Sequence, residues 1–69
     1  MLIKFSENLR ELREQKELKQ HELAAALKTT QRKVSYWENG RVEPDLETLW
    51  RIADYFDISI DCLIGRKDY

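Results

Sequence analysis

One cysteine, one proline and two glycines are all that this 69-residue chain holds of the residue types that usually cross-link or punctuate a small fold. A lone Cys62 excludes an internal disulfide and cannot by itself make a cysteine-based metal site. Apolar runs last a few residues, against the ~20 needed to cross a bilayer, so neither a membrane span nor a secretory leader is expected. No catalytic set is present either. His21 and Cys62 fall on different segments, with no Gly-rich loop or carboxylate dyad beside them. An enzyme, a cofactor, a metal and a small-molecule substrate are therefore not expected. A chain this short buries only about 60% of its unfolded surface, so stability must come from packed secondary structure, helped by dimerisation. One domain spanning 1–69, in a reducing, cytoplasmic compartment, is the expectation.

Excess charge of one sign is also lacking: the formal net charge is −1 although 36% of residues are charged. The distribution is more informative than the sum. Residues 1–18 balance Lys4, Arg10, Arg13 and Lys16 against Glu7, Glu11, Glu14 and Glu17. Residues 19–42 set Lys19, Lys28, Arg32, Lys33 and Arg41 against Glu22 and Glu38, a local net of +3. Residues 43–61 then set Arg51 against Glu43, Asp45, Glu47, Asp54, Asp57 and Asp61, a local net of −5. A polyanion is drawn to the middle segment and repelled by the next.

What is present is helical periodicity, with strand signals nearly absent. Leu2, Phe5, Leu9 and Leu12 recur on one face of a first helix whose other faces are charged. Its glutamates read as a solvated face with weak pairs such as Glu7 with Arg10 and Arg13 with Glu17. Leu23, Ala24 and Leu27 cluster on a short second helix over 20–27. The Thr29-Thr30 pair offers hydroxyl N-caps to a third helix over 30–39, whose apolar face is Val34 and Trp37 and whose stop is Asn39-Gly40. Pro44-Asp45 starts a fourth, with Asp45 as N-cap, Glu47 in the first turn and Leu46, Leu49, Ala53 and Phe56 as its apolar stripe. Ser59 caps a last short helix carrying Ile60, Leu63 and Ile64, ended by Gly65. The expectation is an all-α, five-helix fold.

The second and third helices, separated by a turn of a few residues, have the plan of a helix-turn-helix over 20–39. The small Ala24 allows the close crossing, and Leu23, Leu27, Val34 and Trp37 seal the pair onto the rest. The outer face of the third helix is left polar: Gln31, Arg32, Ser35 and Tyr36, the kinds of side chain that read base edges.

The run from Leu18 to Gly65 resembles the lambda-repressor-like (Cro/CI, or XRE) helix-turn-helix family. The resemblance rests on Gln20, Leu23-Ala24, Trp37-Glu38-Asn39-Gly40, the restart at 44–49 and Ala53, and it reaches back to the 9–13 part of the first helix. It implies a compact lambda-repressor-like DNA-binding domain whose third helix enters the major groove of an operator on double-stranded DNA. It assigns base contacts to Gln31, Arg32 and Tyr36. Backbone contacts go to Lys19, Gln20, Thr30, Lys33, Ser35, Asn39 and Arg41. It also pairs Arg13 with Glu38 as a structural ion pair. The function implied is sequence-specific transcription regulation, by repression, as a homodimer on DNA; because the third helix must remain free, the expected dimer surface is the region 56–69. Trp37 and Cys62 read as core, while Trp50 is either half-buried or part of a dimer contact. Where many relatives have glycine in the turn this chain has Lys28, strained if it must be left-handed. The alternative is a protein-interaction module, an antitoxin or adaptor built on the same fold, which the acidic half of the chain favours.

Overall fold

The computed structural model describes residues 4–65, which hold five α-helices: α1 (Phe5–Gln15), α2 (Gln20–Ala26), α3 (Gln31–Glu38), α4 (Leu46–Phe56) and α5 (Ile60–Ile64). Leu2 of the first apolar stripe and the last four residues of the region 56–69 lie outside the described residues. Helices of 5 to 11 residues are too short to persist alone in water, so their ends and inner faces must hold them.

The starts agree with the sequence. Thr30 Oγ1 accepts from the backbone N–H of Lys33 at 3.2 Å, Asp45 Oδ1 from that of Thr48 at 2.9 Å, and Ser59 Oγ from that of Cys62 at 3.1 Å. At α2 the cap position is Lys19, which has no side-chain acceptor. Glu22 reaches back instead, taking the Lys19 N–H at 2.8 Å, half of the reciprocal arrangement that a serine or threonine there would complete.

The stops are less conventional. All five helices are followed by a left-handed residue, yet only Gly40 and Gly65 are glycines; Glu17, Lys28 and Asp57 adopt φ of 56°, 57° and 57°. Four of these ends are Schellman turns: Leu18, Thr29, Arg41 and Ile58 donate their N–H back to the carbonyls of Arg13, Ala24, Tyr36 and Ala53. At α1 and α4 the residue after the turn is apolar, and Leu18 and Ile58 pack against the core. Lys28 is thus left-handed, and a side chain there costs roughly 1–2 kcal/mol relative to right-handed backbone.

The core consists of Phe5, Leu9, Leu23, Ala24, Leu27, Val34, Trp37, Leu49, Ile52, Ala53, Phe56 and Leu63. Truncating one of the fully buried leucines to alanine in a core this small costs about 2–5 kcal/mol. Three expectations need correction. Leu46, placed in the α4 stripe, is 70% exposed: the inner stripe is Leu49, Ile52, Ala53 and Phe56, at i, i+3, i+4 and i+7, and the first turn of α4 lies beyond it. Cys62 is only half-buried, since α5 is short and turns Leu63 inward instead. Trp50 is 66% exposed rather than half-buried.

Side chains from other helices finish the carbonyl ends. Asn8 Nδ2 donates to the carbonyls of Cys62 and Leu63 at 3.2 and 3.0 Å, and Arg51 Nη2 to that of Leu27 at 2.6 Å. Ser6 Oγ donates to the Trp37 carbonyl at 2.7 Å. Among the described residues no helix is long and apolar enough to cross a membrane.

Candidate nucleic-acid interface

α3 buries Val34, Trp37 and Glu38. The opposite side carries Gln31, Arg32 and Lys33, all exposed in the first turn, and then the half-buried Ser35 and Tyr36. The three base-reading candidates, Gln31, Arg32 and Tyr36, therefore share the outward side of one helix, Tyr36 one turn beyond Arg32.

Behind this face the carboxylate of Glu38 is fully buried (side-chain exposure 0%) and anchors three elements. Arg13 Nε donates to its Oε2 at 2.6 Å and Arg13 Nη2 to its Oε1 at 3.1 Å, while Arg13 Nη1 donates to the Leu18 carbonyl at 2.8 Å. Gln20 Nε2 also donates to Oε1, at 3.1 Å. The hydrogen bond with Glu38 raises the pKa of the Arg13 guanidinium, against burial, which lowers it. One carboxylate thus ties α1 and the first residue of α2 to the last turn of α3, which fixes α3 against its support. It also removes an acid from the outside: between residues 19 and 42, Glu22 is the one carboxylate left exposed beside five bases.

The backbone-contact candidates surround α3 on both sides. Lys19 is exposed at the start of α2, next to the half-buried Gln20, whose amide is partly occupied by Glu38. Thr30 spends its hydroxyl on the N-cap. Asn39, the C-cap residue, donates from Nδ2 to Ser35 Oγ at 3.3 Å. Arg41 lies over the ring of Tyr36, 5.9 Å from its centroid, a cation–π distance that joins a base-contact candidate to a backbone-contact candidate.

Beyond the first turn of α3 lies an open groove of about 500 Å³, lined among others by Arg32, Lys33, Tyr36, Val42, Glu43 and Asp45. Asp45 is held below the usual carboxylate range by hydrogen bonds from the Thr48 side chain and backbone N–H, and also by the Lys33 ammonium. The groove therefore marks where the basic face gives way to the acidic segment.

One residue near the site was missed by segmental charge counting. Arg10, on the balanced first helix, is brought to the end of α3, where Nη2 donates to the Glu38 carbonyl at 3.2 Å and to Asn39 Oδ1 at 3.3 Å. Its signal was positional: Ser6, Arg10 and Arg13 stand at i, i+4 and i+7, one polar stripe of α1, and all three bond to the last turn of α3.

A buried acid locking two short helices, with a polar outward face on the second, defines a helix-turn-helix module. The sequence profile of the helix-turn-helix family matches residues 9–61, and the chain belongs to that family, in its lambda-repressor-like (XRE) branch. The HTH-type transcriptional activator BcrR of Enterococcus faecalis is 35% identical over 66 residues, 96% of this chain and 32% of that protein. The uncharacterized HTH-type transcriptional regulator YqaE of Bacillus subtilis is 42% identical over 60 residues, covering 87% of this chain and 52% of its own length. Among solved structures, a transcriptional regulator from Listeria innocua superposes with a TM-score of 0.85 at 42% identity, over 94% of this chain and 61% of that one. The chain spans between about a third and about half the length of the curated relatives it matches.

Proposed function

We propose that this chain is a DNA-binding module of transcription regulation that lays α3 in the major groove of double-stranded DNA. The observation that carries the reading is the outward face of α3: Gln31, Arg32 and Lys33 are all exposed, while the helix's one acid is turned inward and neutralised by Arg13. Arg32 and Gln31 supply the donor and acceptor patterns that pair with guanine and adenine edges, and Tyr36 offers a ring edge and hydroxyl one turn later. Lys19, Gln20, Thr30, Lys33, Ser35, Asn39 and Arg41 fix register through the phosphates, which carry affinity but no sequence information. The task is binding rather than catalysis, and the compartment is the cytoplasm, where the DNA is.

The mode of regulation we infer is repression by occupancy of an operator, as a two-fold dimer over half-sites about 34 Å apart. Phe56 and Leu63 are buried in the core and offer nothing to that dimer. Its exposed apolar contribution comes from Trp50, beside a groove of about 270 Å³ formed with Ala53, Ile58 and Ile60. Trp50 and its groove lie on α4, the α4–α5 connection and the first residue of α5, outside the helix-turn-helix.

Fluorescence anisotropy on labelled duplex DNA tests the reading. Several phosphate contacts predict a log–log salt slope of about −0.9 per contact. Affinity that is flat between low and physiological salt, or equal affinity of the Arg32→Ala/Lys33→Ala variant, overturns it. Flat salt dependence combined with tight binding of a protein partner is the result expected of an antitoxin or adaptor instead.

A further inference from the structure

Arg10 has no place among the base and phosphate contacts assigned to the helix-turn-helix, yet it meets the end of α3 more closely than a solvated surface arginine needs to. Its side chain is 48% exposed, and Nε lies 3.7 Å from Glu38 Oε1 while Nη2 donates to both the Glu38 carbonyl and Asn39 Oδ1. The guanidinium has five N–H donors and no acceptor. This decides the orientation of the Asn39 carboxamide, whose two ends are otherwise interchangeable in shape: the oxygen must face Arg10. The nitrogen is then on the other side, where one of its two hydrogens goes to Ser35 Oγ and the second meets no acceptor among the described residues.

We propose that Arg10 is a positioning residue for DNA binding, which acts by holding Asn39 with its N–H donor edge, rather than its oxygen, toward a backbone phosphate. The inference rests on the DNA-binding reading of α3. A carboxamide turned the other way presents a lone pair to a phosphate oxygen and repels it. Asn39 is an exposed cap residue with a short side chain, and the Ser35 hydroxyl can donate or accept, so the Arg10 bond is what selects one orientation. The planar fork matters more than the charge: a lysine at this position keeps the positive charge on α1 but concentrates it at one point and loses the fixed geometry that reaches a backbone carbonyl and a side-chain oxygen together.

The test is a double-mutant cycle on duplex DNA with Arg10→Lys, Asn39→Ala and both together, each checked for an unchanged far-UV spectrum and thermal transition. Arg10→Lys is expected to weaken binding about fivefold in the wild-type background and by less than twofold when Asn39 is alanine, with the salt slope unchanged. In the free protein, the Asn39 side-chain NH₂ resonances should move toward solvent-averaged values in Arg10→Lys, a readout independent of DNA. Full affinity of Arg10→Lys would mean that charge alone is used and overturns the proposal. Equal losses in both backgrounds, or a salt slope smaller by about one contact in the neutral Arg10→Gln variant, overturn it in favour of action elsewhere or direct phosphate binding. If the lysine variant unfolds, Arg10→Gln and the wild-type NH₂ resonances carry the same comparison. A wild-type chain that binds no DNA at all overturns the parent reading, and this one with it.

Discussion

Removing Arg13 exposes how α3 is held. Arg13→Met deletes three hydrogen bonds, two to Glu38 and one to the Leu18 carbonyl, and leaves a carboxylate with no solvent exposure facing, among the described residues, the Gln20 amide and the more distant Arg10. Breaking a buried pair by deleting one partner costs about 3–5 kcal/mol, most of it from the stranded charge. A 69-residue domain has a total stability of only about 3–10 kcal/mol. The lower end of the expected loss, about 3 kcal/mol, is therefore a large share of the whole. With a urea m-value of about 1 kcal/mol/M, the midpoint should fall by roughly 3 M, read by far-UV circular dichroism at constant m. The stranded charge gives a sharper check. Glu38→Gln should destabilise the wild type but stabilise the Arg13→Met variant, because in the latter it removes an unpaired anion. Since the folded pKa of Arg13 is raised, its contribution in the wild type is complete below the ordinary arginine range and lost only as pH rises through the folded value. An unchanged midpoint in Arg13→Met, or a Glu38→Gln effect of the same sign in both backgrounds, would refute the reasoning.

Three other outcomes each depend on a single feature. Lys28→Gly relieves a left-handed side chain at φ 57° and, after the extra unfolded-state freedom of glycine, should stabilise by up to about 1 kcal/mol; a fall in the melting temperature would count against it. Asp45 has a lowered pKa, so its capping contribution is present above the unfolded aspartate value and lost as pH falls through the folded one. Stability measured from pH 6 down to about pH 2 should therefore drop through one more titration in the wild type than in Asp45→Asn. If Trp50 lies in the dimer contact, Trp50→Lys should leave the fold intact by circular dichroism but remove the dimer by light scattering on DNA, while a persisting dimer would clear that surface of the role.

Much of this fold could be read from residue types because its starts rely on local chemistry: Thr30, Asp45 and Ser59 are side chains that cap, and they cap. The ends were harder. Gly40 and Gly65 announce themselves, but Glu17, Lys28 and Asp57 take the same left-handed turn because of the residue after each: Leu18 and Ile58 reach the core, and Thr29 leads into Thr30. No local signal marks a residue strained for its neighbour's packing. Leu46 misled because an i, i+3 stripe extends on paper beyond the point where other helices cover it, whereas Ile52, off that stripe, is fully buried. Within the candidate site, the outward residues of α3 came from helical period alone. What Gln20 and Arg10 touch did not, since it is decided by how α2 and α1 meet the last turn of α3, contacts between residues 18 and 28 positions apart.

The central claim, that the polar face of α3 reads DNA sequence, is tested most directly by selecting bound sites from a random duplex library with the wild type, Arg32→Ala and Lys19→Ala in parallel. The account predicts one enriched motif for the wild type. Arg32→Ala should lose information at one or two positions of that motif, about 1–3 kcal/mol of discrimination at each. Lys19→Ala should keep the same motif at uniformly weaker affinity. No enrichment by the wild type, or an identical motif from Arg32→Ala at undiminished information, would contradict it.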